Sequence, residues 1–432
     1  MFEVRERPEM VERALLVRIS FDRRAEDEEI SLLEELEELV STLGIGVVDT
    51  MLAHSRSIHK RFLSGTGKAQ EVIDFANAHE CDCIVFDNML SPSQQRNWEE
   101  LAGICVIDRE EVILDIFASR AQTREATLQV DLARMQYALP RMARMWGHLD
   151  REGGSGGGGK GGGASRGMGE QQIEVDRRLA RTRIDRIKRE LEHVRRQRAT
   201  RRKERERQET PCAAIVGYTN AGKSTLLNKL SGSEVMAKDM LFATLDTTTR
   251  QVELPDGQPL LLTDTVGFVR NLPHRLVEAF KATLEEAVLA DFLIHVLDAS
   301  SEEVLKFHET TLSVLKELGA DDRPMITILN KIDQVEDSAV LASLKGKFDN
   351  VILASAKEGS GIDELLIKCT EMLSERVRKY IFKIPQSRGD IVGVLHSETK
   401  VLSTEYEDNS VVIEAVTPKS IAGKYKQFIY AT

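Results

Sequence analysis

Residues 217–224, "GYTNAGKS", fit G-x-x-x-x-G-K-[ST] at every fixed position. The apolar run "AAIVGY" leads into them and the helix-forming run "KSTLLNKLSG" leads out. Strand, glycine turn and helix in that order make a phosphate-binding loop. The glycines let backbone N–H groups converge on a β-phosphate, and the helix N-terminus adds a favourable partial charge. Lys223 would bridge β- and γ-phosphate oxygens, and the Ser224 hydroxyl would bind Mg²⁺. Gly217, Tyr218, Thr219, Asn220, Ala221, Gly222, Lys223, Ser224 and Thr225 are therefore candidate nucleotide contacts. The competing account is a ligand-free strand-to-helix turn.

Three later motifs, each after an apolar run, argue against that account. "DTVG" (Asp264, Thr265, Val266, Gly267) offers an acid that can hold Mg²⁺ through water and an N–H that can meet a γ-phosphate. "NKID" (Asn330, Lys331, Ile332, Asp333) presents a carboxylate that can accept two hydrogen bonds from guanine, from N1–H and the N2 amine. Adenine offers neither donor, so it would leave that carboxylate unpaired. In the same motif Lys331 would lie along the base, and Asn330 would tie its loop to the phosphate loop. "SAK" (Ser355, Ala356, Lys357) would give the Ala356 N–H to guanine O6.

Between the first two motifs lies "FATLDTTTR", with Phe242, Ala243, Thr244, Leu245 and Asp246 as further candidate contacts. A switch threonine is expected here, binding Mg²⁺ only when a γ-phosphate is present. Thr244, Thr247, Thr248 and Thr249 compete, and spacing to Asp264 favours Thr244. The metal set is then Ser224, Thr244 and, through water, Asp264. The catalytic candidates are Lys223, Thr244, Gly267 and Asn220. Phe268 stands where many small GTPases place a water-orienting glutamine. A phenyl ring cannot orient water, so slow hydrolysis is expected unless a partner or a monovalent cation accelerates it. Asn220 is a candidate K⁺ ligand or a side chain that stabilises its loop.

The organisation around these motifs has four expected parts. Residues 1–120 alternate strands and helices as a small α/β domain. Residues 121–207 form a long antiparallel helical hairpin with a glycine-rich loop at 153–169. Residues 208–374 form the GTPase domain, a P-loop fold on a mostly parallel doubly wound sheet. Residues 375–432 form a small C-terminal α/β domain, with strands expected at "VGVLHSE", "KVLSTEYE" and "SVVIEAV".

The chain has 432 residues and a formal net charge of −11. No apolar run is long enough to span a membrane. The charged N-terminus lacks a secretory h-region. The five cysteines are scattered, and Cys81 and Cys83 suit core packing better than a zinc site. A soluble, cytoplasmic, monomeric protein is expected. Residues 177–207 hold 15 Lys/Arg against 5 Asp/Glu. Few acids are available there to pair with the bases, so the segment suits an anionic partner.

The motifs, together with "DTVGFVRNLPH", "VEAFKATLEE", "FDNMLSPSQQRNWE", "VIDREEVILDIFASRAQTREATLQVDLA" and "RGMGEQQIEVDRRLARTRI", resemble the HflX family of ribosome-associated GTPases. The upstream stretches are the more specific, since the nucleotide motifs recur across many GTPases. The family pattern R-G-P-G-E-T-Q-L-E-x-D-R-R is met here with Met168, Gln171 and Ile173 in place of proline, threonine and leucine. These departures, and the length of the glycine run, bear on the loop and not on the family. The resemblance implies GTP and GDP as ligands and binding to the large ribosomal subunit and its rRNA. It also implies GTP-dependent dissociation or rescue of stalled ribosomes.

Two other readings stand beside this one. One is a GTP-gated scaffold for a protein partner. The other is an RNA-remodelling enzyme driven by ATP or GTP, with a second nucleotide site in the N-terminal domain. "LSGTGKAQ" (63–70) lacks the first glycine such a second site needs, because Phe62 stands there. The stretch 153–169, with 11 glycines in 17 residues, is either a linker or a side-chain-poor loop for a narrow rRNA cavity. Gly153–Ala164 is expected to be mobile, with "SRGMGEQQ" leading into the basic helix.

Overall fold

The computed structural model describes residues 11–144, 164–207, 210–232, 241–242, 245, 247–273, 276, 286–373, 377–407 and 409–431. They fall into two compact units. Unit 1 comprises Met1–Arg195, Met240–Leu245 and Arg270–Phe280; unit 2 comprises Arg196–Asp239, Asp246–Val269 and Lys281–Thr432.

Unit 1 is built on a parallel four-stranded sheet, ordered β2-β1-β3-β4. Its strands are β1 (Arg13–Ser20), β2 (Gly46–His54), β3 (Cys83–Phe86) and β4 (Cys105–Asp108). The connections carry α1 (Glu26–Thr42), α2 (Thr66–Ala78) and α3 (Pro92–Ala102). Apolar runs such as "CIVF" are buried end to end, as parallel strands covered on both faces require. Ser91 and Gln94 form a full capping box at the start of α3, with Pro92 at the first helical position. Cys81 and Cys83 are both buried.

After β4 come α4 (Arg109–Arg120) and α5 (Arg124–Ala138), with Thr123 capping the latter. Helical periodicity runs from about Ala121 to Trp146 with a bend expected at Pro140; α5 is its first part, and Trp146 lies outside the described residues. Helix α5 gives way to a 3-10 turn over Leu139–Arg144, around Pro140, whose missing N–H cannot continue an α-helix. The glycine run up to Gly163 lies outside the described residues. The basic helix α6 (Ala164–Arg207) starts before "SRGMGEQQ", so that stretch is helical rather than a lead-in. Ala180, Ile184, Ile187 and Leu191 of α6 recur at helical spacing and bury against Leu128, Leu132, Met135 and Leu139. Arg124 pairs with Glu190 at 3.2 Å, near the opposite ends of the two packed stretches, so the helices run antiparallel.

Unit 2 contains a six-stranded sheet, ordered β10-β9-β8-β5-β7-β6. The strands are β5 (Cys212–Gly217), β6 (Thr248–Glu253), β7 (Pro259–Asp264), β8 (Phe292–Asp298), β9 (Met325–Asn330) and β10 (Val351–Leu353). All pairings are parallel except β6 with β7. The helices are α7 (Lys223–Ser231), α8 (Val304–Leu318), α9 (Ser338–Lys345) and α10 (Ile362–Leu373).

The C-terminal residues give a correction. "VGVLHSE" is not a strand but lies in α11 (Gly389–Glu398), whose Ile391 and Leu395, one turn apart, enter the core. A short apolar run fits both periods, and here the helical one wins. The strands are β11 (Val377–Pro385), β12 (Lys400–Glu407), β13 (Ser410–Pro418) and β14 (Ile429–Ala431), with α12 (Lys419–Lys424) before the last. The element order β-α-β-β-α-β and sheet order β12-β13-β11-β14 define a ferredoxin-like fold.

Candidate nucleotide site

Three motif loops meet at the C-terminal ends of β5, β7 and β9. Gly217 closes β5 with φ 150, and a Cβ there would strike the Val296 carbonyl of the neighbouring strand. Gly222 has φ 95, and a Cβ would overlap the Asn330 side-chain amide. Both positions therefore need glycine on two counts, conformation and space.

Asn330 is 2% exposed. Its Nδ2 donates to the Ala221 carbonyl at 2.8 Å, and its Oδ1 accepts from the Ala356 N–H at 2.9 Å. One side chain thus joins the phosphate loop, its own loop after β9 and the loop of Ser355–Lys357 on the base side. The second bond engages the Ala356 N–H, the group expected to meet guanine O6. Lys331, at φ 61, pairs with Asp298 at 2.7 Å. Asp333 and Lys357 are exposed, Ile332 is half-buried, and Ser355 is buried with its hydroxyl accepting from the Glu358 N–H.

On the phosphate side, Lys223 is buried and donates to the Tyr218 carbonyl at 2.6 Å. Burial lowers its pKa from 10.5 to about 8, opposed by the nearby Asp264 carboxylate. The Ser224 hydroxyl donates to Asp264 Oδ2 at 2.6 Å. A hydroxyl and a carboxylate held this close form a hard-oxygen set that fits Mg²⁺. Thr225 is half-buried on α7, and Asn220 is exposed at φ 60.

Gly267 lies against the phosphate loop. A Cβ there would come within 2.7 Å of Thr219 Cγ2 and 3.0 Å of Lys223 Nζ. Phe268 is 1% exposed, so its ring is withdrawn from water. Its carbonyl accepts from the Thr219 N–H at 2.8 Å, and its N–H donates to the Gly217 carbonyl at 3.1 Å. Thr265 gives its hydroxyl to the Ile215 carbonyl, and Val266 is buried, so neither side chain faces a ligand.

Phe242 and Leu245 have buried side chains. Both are 2% exposed, and Phe242 stands edge-on to Phe117, so only their backbone is left for a nucleotide. Ala243, Thr244 and Asp246 lie outside the described residues. Of the competing threonines, Thr248 and Thr249 are in β6, and Thr249 bonds Thr263 at 3.0 Å.

Two neighbours of the site were not visible in the motifs. The Tyr218 ring stacks on Phe307 of α8 at 4.0 Å and 13°. The aromatic residue inside a phosphate loop was the available signal. Behind Lys223 on the central strand β8, His295 is fully buried against His308 at 5.1 Å. Burial, then the His308 and Lys223 charges, lowers its pKa to about 3.

Comparison with known proteins covers nearly the whole chain. Residues 31–118 match a family described as GTP-binding GTPase N-terminal, and residues 120–205 match GTP-binding GTPase Middle Region. Residues 212–331 match 50S ribosome-binding GTPase. A GTPase HflX of Akkermansia muciniphila is 64% identical over 434 residues, covering 99% of this chain and 99% of that protein. A GTPase HflX of Escherichia coli K12 is 40% identical over 410 residues, covering 94% of each. A GTP-binding protein of Sulfolobus solfataricus, solved with GDP, is 24% identical and covers 84% of this chain and 99% of its own, with a TM-score of 0.42.

Proposed function

The chain belongs to the HflX family of GTPases, so it binds GTP and hydrolyses it, and from that premise we propose that it acts on the large ribosomal subunit, dissociating or rescuing stalled ribosomes. One observation carries the partner. Helix α6 turns its apolar stripe toward α5 and leaves Arg178, Arg181, Arg183, Arg186, Lys188 and Arg189 exposed. Such a face suits rRNA phosphates, and folded rRNA is met through shape and backbone. The description of the matched family, 50S ribosome-binding GTPase, supports the same partner.

In this reading Asp333 selects guanine and Lys331 flanks the base. The Ala356 N–H, beside Asn330, is the donor for guanine O6. The phosphate-loop amides and Lys223 hold the phosphates. Mg²⁺, held by Ser224, Thr244 and (through water) Asp264, supplies charge neutralisation on the phosphate oxygens when bound. Phe268 offers no group to the attacking water, so turnover is slow until the ribosome or K⁺ at Asn220 completes the site. The four-part organisation at 1–120, 121–207, 208–374 and 375–432 separates the RNA-contacting hairpin from the GTPase part. The protein works in the cytoplasm as a monomer; among the described residues no helix is long and apolar enough to cross a membrane.

The test is GTP turnover with purified large subunits at rising salt. Stimulation that fades steeply with salt supports the proposal. The absence of stimulation at low salt, in KCl as in NaCl, refutes it. Deleting 156–163 should impair ribosome dissociation and spare GTP affinity if the glycine loop enters rRNA. Unchanged dissociation would leave those residues as a linker.

A further inference from the structure

The phosphate loop is built from residues with little intrinsic preference for its shape. Gly217, Asn220 and Gly222 all take positive φ, at 150, 60 and 95. A loop of that kind loses much freedom on closing around a ligand unless something outside it holds it beforehand. Tyr218 is where it is held. On either side of Tyr218 the backbone is paired with Phe268, which follows the Asp264–Gly267 motif. The Phe268 N–H donates to the Gly217 carbonyl at 3.1 Å, and the Thr219 N–H donates to the Phe268 carbonyl at 2.8 Å. The Tyr218 carbonyl accepts from Lys223 Nζ at 2.6 Å. The Tyr218 ring is 5% exposed and lies nearly parallel to Phe307 of α8, with ring centres 4.0 Å apart and planes inclined by 13°.

The bland account of this stack is that it docks α8 on the sheet. The helix has other means of docking. Val304, Thr311, Val314, Leu315 and Leu318 are all buried. His308, next to Phe307, stacks on buried His295 of β8 at 5.1 Å and meets Phe348 at 4.8 Å. These contacts set the rotation of the helix, and with it the plane that Phe307 offers. Phe307 itself is only half-buried, and its ring is directed onto the loop. Two stacked rings restrain tilt as well as distance, so the Tyr218 peptide is held in orientation too.

We propose that Phe307 is a positioning residue for the nucleotide phosphates: through the Tyr218 ring it fixes the carbonyl that holds Lys223, so the lysine is aimed before the nucleotide arrives. The inference rests on the reading of Lys223 as the ligand of the β- and γ-phosphates. The β-phosphate is common to GDP and GTP, so losing the platform should weaken both. The loss should appear in dissociation, since a loosened loop still admits the ligand but releases it sooner.

The experiment titrates the full chain with fluorescent GDP and with a non-hydrolysable GTP analogue, recording affinity, binding stoichiometry and dissociation rate. The variants are Phe307→Ala, Phe307→Leu, Phe307→Tyr, Phe348→Ala and Lys223→Ala. Phe307→Ala should weaken both nucleotides about fivefold or more, with stoichiometry kept and dissociation correspondingly faster. Phe307→Leu, which keeps bulk without a flat face, should fall between, and carries the comparison if the alanine variant does not fold. Phe307→Tyr, which keeps the ring, should bind within about twofold of the unaltered chain. Phe348→Ala removes a ring that packs on His308 of the same helix and should leave both affinities within about twofold. Fewer binding sites at unchanged affinity in Phe307→Ala would make the ring a folding element only and overturn the proposal. So would equal losses in Phe307→Ala and Phe348→Ala, or a Phe307→Tyr chain as weak as Phe307→Ala. If Lys223→Ala weakens both nucleotides and Phe307→Ala weakens neither, the site reading stands and the platform is wrong. If Lys223→Ala loses nothing, the site reading fails and the inference with it.

Discussion

Unit 1 has a parallel sheet and unit 2 a mostly parallel one, and in such folds ligands sit outside the C-terminal strand ends. The two edges are furnished in opposite ways. In unit 1 the edge is filled by the protein itself. Asn88 bonds both the N–H and the carbonyl of Ile19 at the end of β1. Asp87, after β3, binds Arg109 and Arg18. Arg141 reaches Gln95, the Leu90 carbonyl and Asp108. In unit 2 the same place is lined by Gly217, Gly222 and Gly267, where side chains are excluded. The comparison teaches that architecture supplies the place and the edge residues decide whether a nucleotide can enter. It also weighs against a second nucleotide site in unit 1.

The largest expected effect tests the filled edge. Arg141→Met leaves Asp108 buried without its cation, where burial already raises the carboxyl pKa despite Arg141. Unfolding stability should fall by about 3–5 kcal/mol in chemical denaturation. GDP affinity by calorimetry should not change; a parallel loss would tie that edge to the nucleotide and break the contrast.

Next comes the open edge. Asp333→Asn should weaken GTP and GDP by about 100-fold, since guanine's two donors lose their shared acceptor. Lys68→Ala, in the stretch that imitates a phosphate loop in unit 1, should change neither affinity beyond about twofold, nor ATP turnover. ATP turnover surviving Asp333→Asn would revive the RNA-remodelling enzyme.

Two smaller effects depend on pH. Lys223 must be charged to hold phosphate, and its pKa in the free protein is lowered to about 8. GDP affinity should therefore fall about tenfold from pH 7 to pH 9, and a flat profile would contradict the burial argument. His295, with its folded pKa lowered to about 3 against 6.5 unfolded, is kept neutral by the fold. Its contribution is whole above 6.5 and is lost progressively as pH falls toward 3, costing about 1.4 kcal/mol by pH 5.5. His295→Phe should flatten that acid limb in thermal melts. An unchanged limb would place the acid sensitivity elsewhere.

The elements of both parallel sheets were legible because their strands are short, apolar and β-branched, and the phosphate loop because glycine spacing there is a steric demand. "VGVLHSE" was not, because seven residues carry too little periodicity to separate helix from strand. The bond from the Ala356 amide to Asn330 was not legible either, because a motif names a residue without saying what already bonds it. The Arg270–Glu35 bond joins residues 235 positions apart. No local pattern encodes such a pairing, and Phe242 on Phe117 is hidden for the same reason.

The central claim is that GTP binding in unit 2 drives an encounter with the large ribosomal subunit. Co-sedimentation with purified large subunits tests it most directly, comparing a non-hydrolysable GTP analogue, GDP and no nucleotide. The account predicts stoichiometric recovery with the analogue, weaker recovery with GDP, and loss of both at high salt. Recovery that is absent with the analogue, or equal in all three conditions, would contradict it.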